Sequence, residues 1–195
     1  MTTLFVNACM RGGKSRTLQL CREYLDGMPC VREVSLERLG LAPLDEQSQS
    51  YRSQLVAAGV FDDDIFDLAH EFAEADDVVI GAPFWDRSFP AALKTYIEHV
   101  SVCDITFHFT RQAEYVGLCR AKTLTYITTS GGYLKGQNFG YEYLCAIAEM
   151  FGIDEVRMIA AEGLDVEGVD VNERIERARK RIAEIKRTDA ERASD

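Results

Sequence analysis

The sequence has no C-x-x-C pair, no histidines at ligand spacing, no long apolar run and no excess of positive charge. Six cysteines (Cys9, Cys21, Cys30, Cys103, Cys119 and Cys145) are scattered along 195 residues. That distribution gives neither a disulfide framework nor a redox pair, and reads as free thiols in a reducing compartment. His70, His99 and His108 have no ligand spacing to one another or to a cysteine, so no metal site is expected. A formal charge of −10 argues against nucleic acid or an anionic membrane as partner. With no signal-peptide pattern and no apolar stretch of spanning length, a cytoplasmic protein is expected. Internal repeats and linkers are absent too, so residues 1–187 are expected to form one domain, with a polar tail over 188–195.

What is present is an alternation of strand and helix signals. Hydrophobic residues make up 47% and charged residues 28%, as in an ordinary globular domain. Leu4–Ala8, Val31–Leu36, Asp77–Gly81, Leu124–Thr128 and Val156–Ala160 read as strands, several of them continuous apolar runs of the kind buried on both faces of a sheet. Helical spacing marks Thr17–Leu25, Asp63–Ala75, Pro90–Val100, Tyr141–Phe151 and a last helix from Val171 to about Lys186. Glu37–Gly59 reads as a long polar connection with one helical segment. Five strands separated by helices predict an α/β doubly wound parallel sheet of order 2-1-3-4-5. Ligands of such sheets bind beyond the carboxyl ends of the strands.

Three turns fall at those ends. The first, Ala8–Thr17, reaches a helix entrance through Gly12, Gly13, Lys14 and Ser15, a setting in which free amides and the helix dipole favour phosphate. It reads A-x-x-x-x-G-K-S, one residue away from the nucleotide-binding P-loop spacing. A kinase or NTPase would also need a carboxylate at the end of a buried strand, and Val78–Ile80 ends in Gly81. The second turn, Ala82–Pro90, places Phe84 and Trp85 in a loop, either as packing anchors or as a platform for a flat ring. The third, Thr129–Tyr133, carries Gly131 and Gly132, either for a tight turn or for close backbone approach to a polar ring edge.

Those segments carry a resemblance. Ala82-Pro83-Phe84-Trp85-Asp86 with Leu93-Lys94-Thr95-Tyr96-Ile97, then Ile105–Thr110, then Thr128–Gly132 with Phe151-Gly152-Ile153 and Ala161-Glu162-Gly163, resemble the FMN-dependent NADH azoreductase and quinone reductase family of flavodoxin-like fold. The resemblance implies FMN as cofactor and NAD(P)H as co-substrate. Hydride would pass through flavin N5 to quinones or azo compounds in a ping-pong reaction, within a homodimer. It implies that Cys9, Ser15, Arg16 and Thr17 hold the phosphate, with Arg11 and Arg16 compensating for a cysteine at a position where the family often has serine. It sets the ring against Pro83, Phe84, Trp85 and Asp86, bordered by Thr129, Ser130, Gly131, Gly132 and Tyr133. Catalysis would use no side chain, only the backbone near Trp85, Asp86, Gly131 and Gly132. Phe107 and Phe109 would form a substrate-side lid or pack in the core. A non-enzymatic flavin-binding sensor or electron carrier would show the same loops.

Overall fold

In the computed structural model, which describes residues 1–192, five parallel strands form one sheet of order β2-β1-β3-β6-β7. They are β1 (Thr3–Asn7), β2 (Val31–Ser35), β3 (Asp77–Gly81), β6 (Thr123–Thr129) and β7 (Glu155–Ala161). A separate hairpin pairs β4 (Phe107–Phe109) with β5 (Tyr115–Gly117). The helices are α1 (Arg16–Leu25), α2 (Leu36–Leu39), α3 (Glu46–Ala58), α4 (Asp67–Glu74), α5 (Ala91–Val100), α6 (Phe139–Phe151) and α7 (Val171–Arg192). Among the sheet strands the order is therefore the one expected.

Two-residue periodicity splits the strands into two apolar faces. Leu4, Val6, Val78, Ile80, Leu124 and Tyr126 pack against α4, α5 and α6. Phe5, Val79, Ile127 and Ile159 pack against Leu20, Cys21 and Tyr24 of α1 and Ala178, Ile182 and Ile185 of α7. Register is continuous across the sheet: Thr3 faces both Val31 and Asp77, Asp77 faces Thr123, and Thr123 faces Glu155. All the carboxyl ends thus share one edge, and strand order reverses between β1 and β3 at that edge.

Four local expectations change. The polar stretch after residue 36 holds two helices. Gly40 (φ 60°) closes α2, and Asp45 with Ser48 forms a reciprocal cap on α3 that Gly59 (φ 70°) ends. The helix expected from Asp63 is a 3-10 turn (Asp64–Phe66) followed by α4. The β4–β5 hairpin has three-residue strands and no Asn-Gly turn, so its period-2 signal is too short to read. Finally, α7 continues through Arg192 where a polar tail from 188 was expected. Its Asp189 is tied by a 2.7 Å ion pair to the nearly buried Arg157. The remainder of that tail, 193–195, lies outside the described residues.

Candidate functional site

β1 runs into the first turn with its alternation unbroken, and this decides where the side chains go. Ala8 continues the face of Leu4 and Val6, while Cys9 continues the face of Phe5. Cys9 is therefore buried beneath the loop, its Sγ 3.5 Å from the Gly81 carbonyl oxygen. It does not line the cleft, which corrects its expected place among the phosphate contacts. Cys21 lies beneath the loop as well, and burial pushes its thiol well up, so it stays neutral.

Above Cys9 a 3-10 turn, Gly12–Lys14, leads into α1. Lys14 is exposed and does not line the cleft, so the near-P-loop reading loses its lysine. Ser15 is the helix cap. Its hydroxyl oxygen accepts from the Leu18 amide at 3.2 Å and its carbonyl accepts from the Gln19 amide at 3.1 Å. The Arg16 and Thr17 amides have no acceptor among the described residues, so two donors at the positive end of α1 face the cleft. The Thr17 and Thr129 hydroxyls meet at 2.7 Å, stapling the first turn to the end of β6. The Arg16 guanidinium meets Asp165 at 3.1 Å, with both side chains largely exposed.

In the second turn, Asp86 (φ 49°) and Arg87 (φ 67°) both take left-handed backbone, as in the tight turns that close hairpins. The Trp85 and Ser88 amides are consumed by each other's carbonyls at 2.9 and 2.8 Å, and the Phe84 amide is held by the Thr129 carbonyl at 3.0 Å. Among the described residues, the Asp86, Arg87 and Phe89 amides of this turn have no acceptor. Trp85 lines the cleft and leaves 44% of its surface exposed, so its side chain is not buried in the core. The third turn is held by the Ser130 hydroxyl, which donates to the Gly132 carbonyl at 2.6 Å. Its Gly131 and Gly132 amides are unpartnered among the described residues. A Cβ at Gly131 would fall 2.5 Å from the Asp165 carboxylate, so a side chain there would displace that carboxylate.

These turns enclose a cleft of about 210 Å³. Of the residues expected there, Arg11, Ser15, Arg16, Thr17, Pro83, Phe84, Trp85, Thr129, Ser130 and Gly131 line it. Cys9, Asp86, Gly132 and Tyr133 do not. Tyr133 stands outside, its ring under the Arg174 guanidinium at 5.6 Å. Neither Phe107 nor Phe109 borders the cleft. Phe107 is buried against Phe151, and Phe109 lies on the hairpin surface. Sequence reasoning missed Met10, Leu164 and Asp165, which complete the lining. Leu164 and Asp165 follow β7 and so share the sheet edge of the other turns, a signal the strand assignment already contained. A wider groove of about 790 Å³ lies between α3 and α5. Of the expected residues it holds Phe107 alone, and no glycine turn.

A doubly wound sheet with a helix entrance, an aromatic turn and a glycine turn converging at its switch point defines a flavodoxin-like ligand-binding protein. The model of the family described as flavodoxin-like fold matches residues 1–185, and the chain belongs to that family. An FMN-dependent NADH:quinone oxidoreductase of Clostridium acetobutylicum is 38% identical over 170 residues, covering 82% of this chain and 84% of that protein. One from Clostridium beijerinckii is 40% identical over 164 residues, covering 83% and 74%. Among solved structures, an FMN-dependent NADH-azoreductase of Bacillus anthracis in complex with FMN superposes with a TM-score of 0.80. That match covers 95% of this chain and 97% of the other at 21% identity, and shows the shared fold.

Proposed function

We propose that this chain binds FMN in the cleft and reduces quinones or azo compounds with NAD(P)H, as a cytoplasmic homodimer. The observation that carries the reading is the set of unpartnered amides at the two ends of one cleft: Arg16 and Thr17 at the helix entrance and Gly131 at the far turn, with the free Gly132 amide next to it along the chain. The donor set suits the cofactor's chemistry. The helix entrance, with the Ser15 hydroxyl and the Arg16 guanidinium, offers what a phosphate monoester needs. Pro83, Phe84 and Trp85 offer an apolar wall to a flat ring.

Bound FMN supplies acceptance of a hydride from a reduced nicotinamide and its delivery to an organic acceptor. The chain's part is orientation and electrostatics. The amides of Gly131 and Gly132 favour negative charge on an adjacent heterocycle, and fixed backbone dipoles do so without reorganising. Asp86 and Arg87 offer further amide donors, while the amide of Trp85 is spent on its own turn. No side-chain acid or base is needed, and the buried Cys9 and Cys21 thiols offer none.

The homodimer draws support from the hairpin, where Phe109, Tyr115, Val116 and Leu118 leave between 43% and 56% of their surfaces exposed. Covering that patch with a second chain is the route by which Phe109 could approach a substrate. Steady-state NAD(P)H oxidation with a benzoquinone, at several fixed quinone concentrations, tests the activity. Parallel double-reciprocal lines are expected for the ping-pong order. Tight flavin binding without nicotinamide oxidation would instead make the protein a sensor or electron carrier.

A further inference from the structure

The three histidines and six cysteines gave no ligand pattern along the chain, yet the fold brings one of each together with a carboxylate. Cys103, Asp104 and His108 each present a ligand atom within 4.8 Å of the others. The cluster stands apart from the FMN cleft, at the root of the β4–β5 hairpin. Its position follows from a tight turn after α5. The Ile105 and Thr106 amides return to the Val102 carbonyl at 3.2 and 3.0 Å, and the Asp104 amide reaches the Phe107 carbonyl at 2.7 Å. Buried Thr106 locks the turn, its hydroxyl donating to the Val100 carbonyl at 2.8 Å while accepting from the Val102 amide at 3.1 Å. Asp104 adopts φ 66°, a left-handed conformation that costs a non-glycine residue energy and that aspartate tolerates better than most. His108 comes from β4, pinned opposite Val116 in the hairpin.

We propose that Cys103, Asp104 and His108 form a binding site for a soft-to-borderline divalent cation of the zinc type, with water completing the shell. Thiolate, imidazole and carboxylate together are the donor set that borderline transition ions prefer, whereas magnesium and calcium favour all-oxygen sites. His108 Nδ1 and Asp104 Oδ1 stand 2.6 Å apart. Ligand atoms about 2 Å from a tetrahedral ion are separated by roughly 3.3 Å, so the pair must open by about 0.7 Å. In the single chain both side chains are about half exposed, which leaves room for that adjustment. Cys103 is partly buried, and burial followed by the Asp104 carboxylate pushes its thiol up. A cation between them reverses the second effect and takes the thiolate, with the thiol proton released to solvent. An ion held there would tie the turn after α5 to β4, and so fix the hairpin that carries Phe109 and Tyr115.

The test uses the full-length protein, flavin included, after chelator treatment and desalting. Zn²⁺ is titrated by calorimetry, and Co²⁺ is added to a parallel sample as a spectroscopic probe. One equivalent of Zn²⁺ is expected, and a thiolate-to-cobalt charge-transfer band in the near ultraviolet. Cys103→Ser should abolish that band. His108→Ala should weaken Zn²⁺ by about tenfold or more, and Asp104→Asn, which keeps the left-handed backbone, by less. Cys30→Ser, at an exposed cysteine elsewhere, should leave both readouts unchanged. His108 is exposed, so its variant should fold normally, which circular dichroism checks. Absence of stoichiometric binding would overturn the site, as would binding that persists unchanged in both Cys103→Ser and His108→Ala.

Discussion

Asp165 lines the cleft and engages Arg16, one of the two guanidinium groups that the phosphate reading uses. Replacing it with asparagine should therefore tighten FMN. The Arg16–Asp165 contact is 3.1 Å, but the side chains are 45% and 73% exposed, so solvent screens it. Exposed pairs of this kind are worth about 0.2–1 kcal/mol. A phosphate that recruits Arg16 must break or share that pair, and it also meets the Asp165 charge. Relief of the first cost alone predicts about 1.5- to 5-fold tighter binding in Asp165→Asn, and removal of the repulsion adds in the same direction. The backbone bond from the Asp165 amide to the Gly131 carbonyl, 3.0 Å, is untouched by the substitution, so the third turn should keep its shape. The assay is a flavin-fluorescence titration of the apoprotein at low and high salt. The gain should shrink at high salt, where charge–charge interactions reach only a few ångströms. In an Arg16→Ala background, itself weakened by roughly tenfold through loss of a charge-assisted contact, the gain should be smaller. Unchanged or weaker binding in Asp165→Asn would refute the placement of the phosphate beside Arg16.

Trp85→Ala should lower FMN affinity by roughly tenfold, the lower part of the range for losing an aromatic stacking face, while the melting temperature moves little because Trp85 is half exposed. A large loss of stability with normal flavin binding would return the residue to a packing role. Gly117→Ala should destabilise the fold by about 3 kcal/mol or more in urea denaturation. A Cβ there would fall 2.0 Å from the Gly152 nitrogen and 2.1 Å from the Phe151 carbonyl carbon, both backbone atoms that cannot swing aside. Bonds from Arg157, and then from Arg192, hold the Glu155 carboxyl at about 2, below the usual range near ~4.3. A depressed folded value means stability that is full above the unfolded value and lost as pH falls through the folded one. The stability difference between wild type and Glu155→Gln should shrink from pH 5 to pH 2. Its size should stay below about 1 kcal/mol because the carboxylate is 41% exposed. A difference that grows on acidification would contradict the assignment.

The sheet was legible because its strands are buried on both faces. Leu4–Val6, Val78–Ile80 and Leu124–Thr128 read as short apolar runs, and their carboxyl ends located three of the turns that meet. The same period-2 rule held more than was drawn from it. Cys9 shares its parity with Phe5, so its burial could have been read from β1 alone. Asp165 was harder, because nothing in an exposed acidic loop residue announces a partner 149 positions away. Asp86 and Arg87 look like an ordinary charged pair in sequence. Only backbone geometry shows that they form the turn, and that Trp85 thereby loses its amide. The cluster at Cys103 was invisible for a related reason, since a left-handed Asp104 folds Cys103 back toward His108 at a spacing that matches no ligand motif.

The most direct measurement is FMN stoichiometry in the purified protein and in Arg16→Ala and Trp85→Ala. Released flavin would be identified after denaturation, and rebinding to the apoprotein followed by absorbance. The structure predicts one FMN per chain, retained or rebound by the wild type and weakened in both variants. A protein that neither retains nor rebinds FMN, and binds ATP with Mg²⁺ instead, would contradict the flavin site at its root.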